Sequence, residues 1–261
     1  MELNLEGKTA LVCGSTAGIG KATAIELATL GARVVLMARN PQKLEQTLRE
    51  LPKTSNQNHE SLAVDFSDIS ALKVAAESLA KSNQIHILIN NTGGPPAGPA
   101  VAADPAQYQA AFAQHLLCNQ ILVQALVPKM KHAKFGRIIN VISTSVKQPI
   151  ENLGVSNTIR GAVANWSKTL SVELGPFGIT VNNVLPGFTA TDRLDDIINS
   201  AAKRLNKTPE QASDFMTSVV PARRFAQASE IAYGIAFLCS TSAGYINGIN
   251  LPIDGGRTKS L

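Results

Sequence analysis

The chain has 261 residues, of which 44% are hydrophobic and 16% charged, a composition that supports a packed core and excludes disorder throughout. Its net charge of +5 comes without any run of five Lys or Arg, so a basic nucleic-acid face is not expected. Cys13, Cys118 and Cys239 are odd in number and widely spaced, which fits a reducing, cytoplasmic setting better than a disulfide scaffold.

The first ten residues carry Glu2, Glu6 and Lys8 and no apolar run, so no secretory signal is expected. Lys8 to Gly14 is apolar and reads as a buried strand; Gly18 to Leu30 has helical spacing and stops at Gly31. Arg33 to Ala38 reads as a second strand and Pro41 to Leu51 as a helix, followed by a polar loop from Pro52 to Glu60. Ser61 to Asp65 is a third strand, and Ser67 is expected to cap a helix through Lys81. Ile85 to Ile89 is a fourth. Thr92 to Pro105 holds four Pro and three Gly and must be a loop.

A long helix is expected from there to about Lys131, with Tyr108 just before it. Pro105 to Pro128 lacks Asp, Glu, Lys and Arg but carries several Gln and Asn, so a helix buried in protein is expected and no membrane span. Strands at Arg137 to Ile142 and Ile179 to Leu185 flank a helix from about Ser156 to Leu174. Asp192 to Val220 reads as a broken helical excursion, Ser229 to Ser240 as a last helix, and Asn250 to Ile253 as a last short strand. Alternation of this kind, with no linker-like break, predicts an α/β fold: a single-domain, doubly wound, Rossmann-like parallel sheet over residues 1–261.

The first strand runs into Gly14-Ser15-Thr16-Ala17-Gly18-Ile19-Gly20, which opens a helix. Glycines allow a tight turn and close backbone approach, and the free N–H groups of a helix start stabilise a pyrophosphate. At these residues the sequence resembles the short-chain dehydrogenase/reductase family, in its 3-oxoacyl-carrier-protein-reductase-like branch. Asn90-Asn91-Thr92-Gly93, Gly136-Arg137-Ile138-Ile139-Asn140, Asn183-Val184-Leu185-Pro186-Gly187 and Asp254-Gly255-Gly256 match the family in order over nearly the whole chain.

The end of the second strand reads Met37-Ala38-Arg39-Asn40, with no acid to hold a ribose 2′-OH; Arg39 suits a 2′-phosphate, so NADP(H) is the expected cofactor. The resemblance also implies that Asp65 and Phe66 lie at the adenine and Asn91 near its ribose. It places Thr92 and Gly93 on the nicotinamide side, where the Gly/Pro-rich loop is expected to form a stiff wall. Pro186, Gly187, Phe188 and Thr191 fall around the nicotinamide amide. No metal site is expected.

A typical member uses Ser, Tyr and Lys, with an Asn on the preceding helix. Ser143 matches the Ser. Thirteen residues on, the Tyr position holds Ser156, and four further on the Lys position holds Arg160. Fifteen residues back from Met130, the Asn position holds His115, with Asn119 one turn later as the alternative. A phenol titrates near about 10 and a neighbouring cation lowers that value, whereas a Ser hydroxyl is far less acidic and shorter. Arg160 can bind ribose hydroxyls or polarise an oxygen but does not pass a proton. His115 is therefore a candidate proton donor, its alternative being a satisfied buried histidine. Lys147 is a second candidate, with a surface loop the simpler reading, and Ser156 either bonds a carbonyl or caps its helix.

Three functions compete. The first is an NADP(H)-dependent carbonyl reductase or alcohol dehydrogenase with an atypical acid–base set, acting on a small-molecule carbonyl or alcohol. The second is a catalytically impaired dinucleotide-binding protein acting as sensor or interaction partner. The third, ranked last, is a lyase like the halohydrin dehalogenases, which carry the Arg but keep the Tyr and lose the glycine turn. By resemblance a homo-oligomer, dimer or tetramer, is expected, and no nucleic-acid partner.

Overall fold

The computed structural model describes residues 2–54 and 56–260; Met1, Leu261 and Ser55 of the expected polar loop lie outside the described residues. In chain order the elements are β1 (Thr9–Cys13), α1 (Gly18–Thr29), β2 (Arg33–Ala38), α2 (Pro41–Glu50), β3 (Glu60–Ala63), α3 (Ile69–Ser82) and β4 (Ile87–Asn90). Then come α4 (Pro105–Phe112), a π-helical turn (Ala113–Leu117), α5 (Cys118–His132), β5 (Gly136–Val141), α6 (Gly154–Leu174) and β6 (Ile179–Pro186). The chain closes with β7 (Thr189–Ala190), α7 (Leu194–Leu205), α8 (Pro209–Ser218), β8 (Ala226–Gln227), α9 (Ala228–Cys239) and β9 (Asn250–Ile253).

Seven strands form one parallel sheet in the order β3-β2-β1-β4-β5-β6-β9. Strand side chains alternate between faces, and both faces are apolar. Ala10, Val12, Val34, Leu36, Ile87 and Ile89 pack with Leu27, Ile231 and Ile235 of α1 and α9. Leu11, Cys13, Val35, Met37 and Leu88 pack on the other side with Leu72, Leu122 and Leu126 of α3 and α5. This is the expected doubly wound α/β fold. The chain leaves β1 in one direction to β2 and later returns on its other side at β4, so a crevice opens beyond the C-terminal ends of these two strands.

A row of polar side chains runs from the middle strand, β4, to the edge strand, β9. Asn90 pairs in register with Asn140, Asn140 with Asn183, and Asn183 with Asn250. Asn90 Nδ2 donates to Asn140 Oδ1 at 2.8 Å, Asn140 Nδ2 to Asn183 Oδ1 at 2.9 Å, and Asn183 Nδ2 to Asn250 Oδ1 at 2.8 Å. Asn90, Asn140 and Asn183 are fully enclosed, so each amide relies on its neighbour for solvation.

Several boundaries differ from the sequence reading. Asp68, not Ser67, caps α3, its carboxylate accepting from Ala71 N at 2.9 Å. Ser67 instead donates from both its N and Oγ to Asp65. Tyr108 lies inside α4, because Asp104 and Gln107 start that helix with a reciprocal capping box. The single long helix is two helices joined by the π turn. Its length and composition would allow a membrane crossing, yet Cys118, Leu122, Leu126 and Met130 are buried in the layer shared with α3. Finally, α6 begins at Gly154 behind Leu153, so Ser156 stands within the first turn and does not cap it.

Replacing Asn140 by Ala removes one donor and one acceptor and orphans Asn90 Nδ2 and Asn183 Oδ1. A loss of about 2–4 kcal/mol is expected in urea unfolding. Asn140→Ala combined with Asn183→Ala should cost less than the sum of the single changes. Strict additivity would show that the amides are not coupled.

Candidate active site

The crevice beyond β1 is shaped by three glycines. Gly14 has φ +58°, and a Cβ there would stand 2.5 Å from the Asn91 carbonyl oxygen. A Cβ on Gly20 would lie 2.1 Å from the Gly14 carbonyl oxygen. Gly18, at φ +50°, faces Thr191, whose Cγ2 would be 3.1 Å from a Cβ. Neither a left-handed backbone nor these contacts admit a side chain. Asn91 braces the turn from β4, its Nδ2 donating to the Cys13 and Gly14 carbonyls, both at 3.3 Å. Ser15 is enclosed and its hydroxyl donates to Met37 O at 3.3 Å, tying the turn to β2.

Side chains cap α2, α3, α4 and α8, namely Asn40, Asp68, Asp104 and Thr208. α1 has Ala17 at that position, with no side-chain bond and no acid in its first turn. Its leading N–H groups, with Thr16 and Ile19 half-buried beside them, are left to an anion. This cradle fits a dinucleotide pyrophosphate. Arg39 is exposed just past β2, and no described carboxylate forms an ion pair with it. Nearby, Asp65 accepts from Ser67 N at 2.9 Å, and Ser67 holds its carboxyl below the usual range, with a smaller contribution from Arg39. Phe66 is half-buried against the α3–α5 layer.

The opposite wall comes from β6 and the segment after it. Gly187 N donates to Ile253 O at 2.9 Å, and a Cβ on Gly187 would be 2.7 Å from Asp254 Cα, so the chain turns closely at Pro186-Gly187. Phe188 turns its ring to Phe225 and to the Arg257 guanidinium, 4.3 Å away, in the small core beneath α7 and α8. Thr191 then brings the chain back to Gly18. The Gly/Pro loop is anchored too: Gly98 N donates to Asn152 O at 2.7 Å and Gly154 N to Gly98 O at 2.9 Å, which pins it to the start of α6. Gly93 lies exposed on this loop.

Between these walls the candidate catalytic residues gather. Ser143 follows β5, and its Oγ accepts from Ser145 N at 3.1 Å. Ser156 and Arg160 are one turn apart on α6, and both are buried. Arg160 Nη1 donates to Val141 O at 3.1 Å, which sets its guanidinium at the end of β5. Burial, and then Arg193, pull its pKa down to about 10, so it stays cationic at neutral pH. His115 sits in the π turn, 1% exposed, with Nδ1 2.7 Å from Thr92 Oγ1 and Nε2 without a partner. Burial, then Arg160 and Arg193, hold its pKa down to about 3.

The imidazole is therefore neutral where the sequence alone suggests a titrating acid. A neutral imidazole still donates one hydrogen bond, and does so from Nε2 when Nδ1 accepts from Thr92. Asn119, the alternative, is buried one turn along in α5. Lys147 is half-buried after the 3-10 turn that follows Ser143. Tyr108 packs on Val155 and Ile159, while Tyr233 and Tyr245 are exposed.

One residue escaped the sequence reading. Arg193, at the start of α7, reaches back so that its Nη1 and Nη2 lie 3.5 and 3.6 Å from where a Cβ on Gly94 would be; Arg160 Nη2 lies 3.9 Å from the same point. Its separation from Arg160 in the chain conceals this pairing, and only the bareness of Gly94 hinted at a close approach.

Comparison with known proteins agrees with this fold. A model of the family described as enoyl-(acyl carrier protein) reductase matches residues 14–258. The chain is 32% identical to the NADPH-dependent reductase BacG of Bacillus subtilis, over 97% of this chain and 99% of that protein. It is 33% identical to the 3-oxoacyl-[acyl-carrier-protein] reductase FabG of Haemophilus influenzae, over 97% and 98%. The crystal structure of L-sorbose reductase from Gluconobacter frateurii, complexed with NADPH and L-sorbose, superposes with a TM-score of 0.92 at 30% identity, covering 100% of both chains.

The depressed His115 makes stability depend on pH. The unfolded chain binds a proton at His115 below about 6.5, and the folded chain does so only near about 3. The contribution is complete above the upper value and lost as pH falls toward the lower. From pH 7 to pH 5 the wild type should lose about 2 kcal/mol more than His115→Gln in urea unfolding. His59 and His86 shift in the same direction and act equally in both proteins. Parallel stability curves would show that His115 is not buried neutral.

Proposed function

The chain belongs to the short-chain dehydrogenase/reductase family, and on that footing we propose that it is an NADP(H)-dependent oxidoreductase of carbonyl-reductase or alcohol-dehydrogenase type, working with an atypical acid–base set. The reading takes residues 1–261 as one dinucleotide-binding domain. The observation that carries it is the glycine cradle at the uncapped start of α1, closed by Thr191, with Arg39 exposed at the end of the neighbouring β2. A 2′-phosphate is the anion that an exposed guanidinium at the end of β2 suits.

When bound, NADPH supplies the hydride that a carbonyl carbon accepts. The chain's own residues then manage the oxygen. Ser143 Oγ donates a hydrogen bond to it, and Arg160 holds a fixed positive charge beside the position where negative charge grows. Neutral His115 offers Nε2–H, steadied by Thr92 at Nδ1. Ser156, one turn before Arg160, presents a short hydroxyl where a phenol is usual and leaves room that water can fill. The completing proton comes from solvent through such a water, or through His115 once the ring has itself taken up a proton. An oxyanion beside His115 also offsets the two arginines and raises its basicity during the reaction.

A second reading has its own support: neither Ser156 nor Arg160 transfers a proton readily, which suits a dinucleotide-binding sensor without turnover. In either case we read the protein as cytoplasmic, in keeping with three free buried cysteines, and as a homo-oligomer, dimer or tetramer, with Phe112, Leu117 and Val172 exposed on its long helices.

Fluorescence titration should give tighter binding of NADPH than of NADH. Arg39→Asp should weaken NADPH about tenfold or more and leave NADH little changed. In a screen of carbonyl compounds followed by NADPH oxidation, His115→Ala should lower turnover about tenfold or more while NADPH affinity is kept. Tight NADPH binding with no substrate across the screen would favour the sensor instead.

A further inference from the structure

The substrate pocket contains more positive charge than hydride transfer to a neutral ketone uses. Arg160 is 7% exposed, and its charge is poorly compensated. Arg137, equally buried, donates to three carbonyls, those of Ser240, Gly136 and Gly178. Arg160 donates to one, Val141 O, and its Nε is enclosed without any partner. A buried guanidinium left in this state is costly, because its lost hydration is not replaced.

Arg193 makes the cost greater. It stands at the N-terminal end of α7, where a cation opposes the helix dipole. Among the described residues neither Arg160 nor Arg193 forms an ion pair with a carboxylate, although Asp192, Asp195 and Asp196 lie next to Arg193 in sequence. Its guanidinium turns instead to Gly94, where the other arginine also arrives. Two like charges brought to one point repel, and an anion between them would offset that cost. Gly94 keeps the space between them free of a side chain. The pair also grades from the enclosed Arg160 to the exposed Arg193, so an anion entering from solvent meets Arg193 first.

We propose that Arg160 and Arg193 together form an anion site in the substrate pocket, and that the substrate is an oxo acid whose carboxylate bridges them. This rests on the oxidoreductase reading and narrows its substrate class. The chemistry recognised is an oxyanion with two or more acceptor oxygens, matched by forked guanidinium donors. A cofactor phosphate has the same chemistry and is the competing source. The carboxylate sets the position of the carbonyl against Ser143 and His115, which are anchored independently at β5 and in the π turn.

The test uses the full-length protein with NADPH, and pyruvate, acetoacetate and benzoylformate with their methyl esters as probes. Calorimetric titration of the protein–NADPH complex should detect at least one acid binding about tenfold or more tighter than its ester. Arg193→Met, a change at an exposed position, should reduce that preference about tenfold, chiefly through KM where turnover is seen, and Arg193→Lys should restore part of it. Equal binding of every acid and ester, or no binding of any acid, overturns the proposal. So does an NADPH affinity that falls about tenfold in Arg193→Met, which assigns the pair to a cofactor phosphate. Esters reduced as fast as acids would sink the acid preference and leave the oxidoreductase reading standing. Acid binding without NADPH oxidation would do the reverse.

Discussion

Four asparagines hold one half of the sheet, from its middle strand to its edge, in one register. A parallel sheet covered on both faces is specified mainly by apolar contacts, and these tolerate a slide of two residues with little change of pattern. Amide side chains do not. Asn90, Asn140, Asn183 and Asn250 meet only when β4, β5, β6 and β9 are aligned as they are; here Asn90 Oδ1 alone among their paired amides is buried without a partner, and any other alignment would orphan more. Several of the groups at the C-terminal edge lie within a few residues of this row. Asn91 and Thr92 come directly after Asn90, Ser143 follows Asn140, and Pro186-Gly187 follows Asn183. Asp254, against which Gly187 packs, follows Asn250. The row therefore fixes the height at which each of these groups leaves the sheet.

Above that row the electrostatics have one sign. Burial above all, and then Arg160 and Arg193, keep the His115 imidazole neutral and its Nε2 idle. An anion or a developing alkoxide relieves all three groups together. The same ensemble that is uncomfortable when empty of negative charge is thus organised for its arrival, which is the preorganisation that makes fixed charges effective in enclosed sites.

Much of this was legible in the sequence. The strand and helix order follows from apolar runs and glycine stops, and the turn from Gly14 to Gly20 is local chemistry. Ser156 and Arg160 were reached by counting along the chain. What stayed hidden depends on distance in space. The individual asparagines are visible, but their contact requires register across four strands. Arg193 looks like a solvated charge beside Asp192, because nothing local says that α7 starts opposite the Gly94 loop. The state of His115 depends on its burial and on those same two arginines, so its ordinary pKa misled. Ser67 and Asp68 are both good caps, and choosing between them takes knowledge of which carboxylate reaches Ala71 N.

The π turn at Ala113–Leu117 has a further meaning for how such a site changes over time. It takes up one residue more than an α-helical turn while both flanks keep their own packing: Ala111 with Val155 and Ile159 on one side, Leu122 and Met130 in the core on the other. Loss of a single codon there would return the turn to ordinary α-helix and leave both flanks packed as they are. A different side chain would then face Arg160, by a step that substitution cannot imitate. The residue opposite the substrate is in this sense set by helix length as much as by amino-acid identity, and lineages that differ by one residue in this segment would not share a chemistry at this position even where their motifs align.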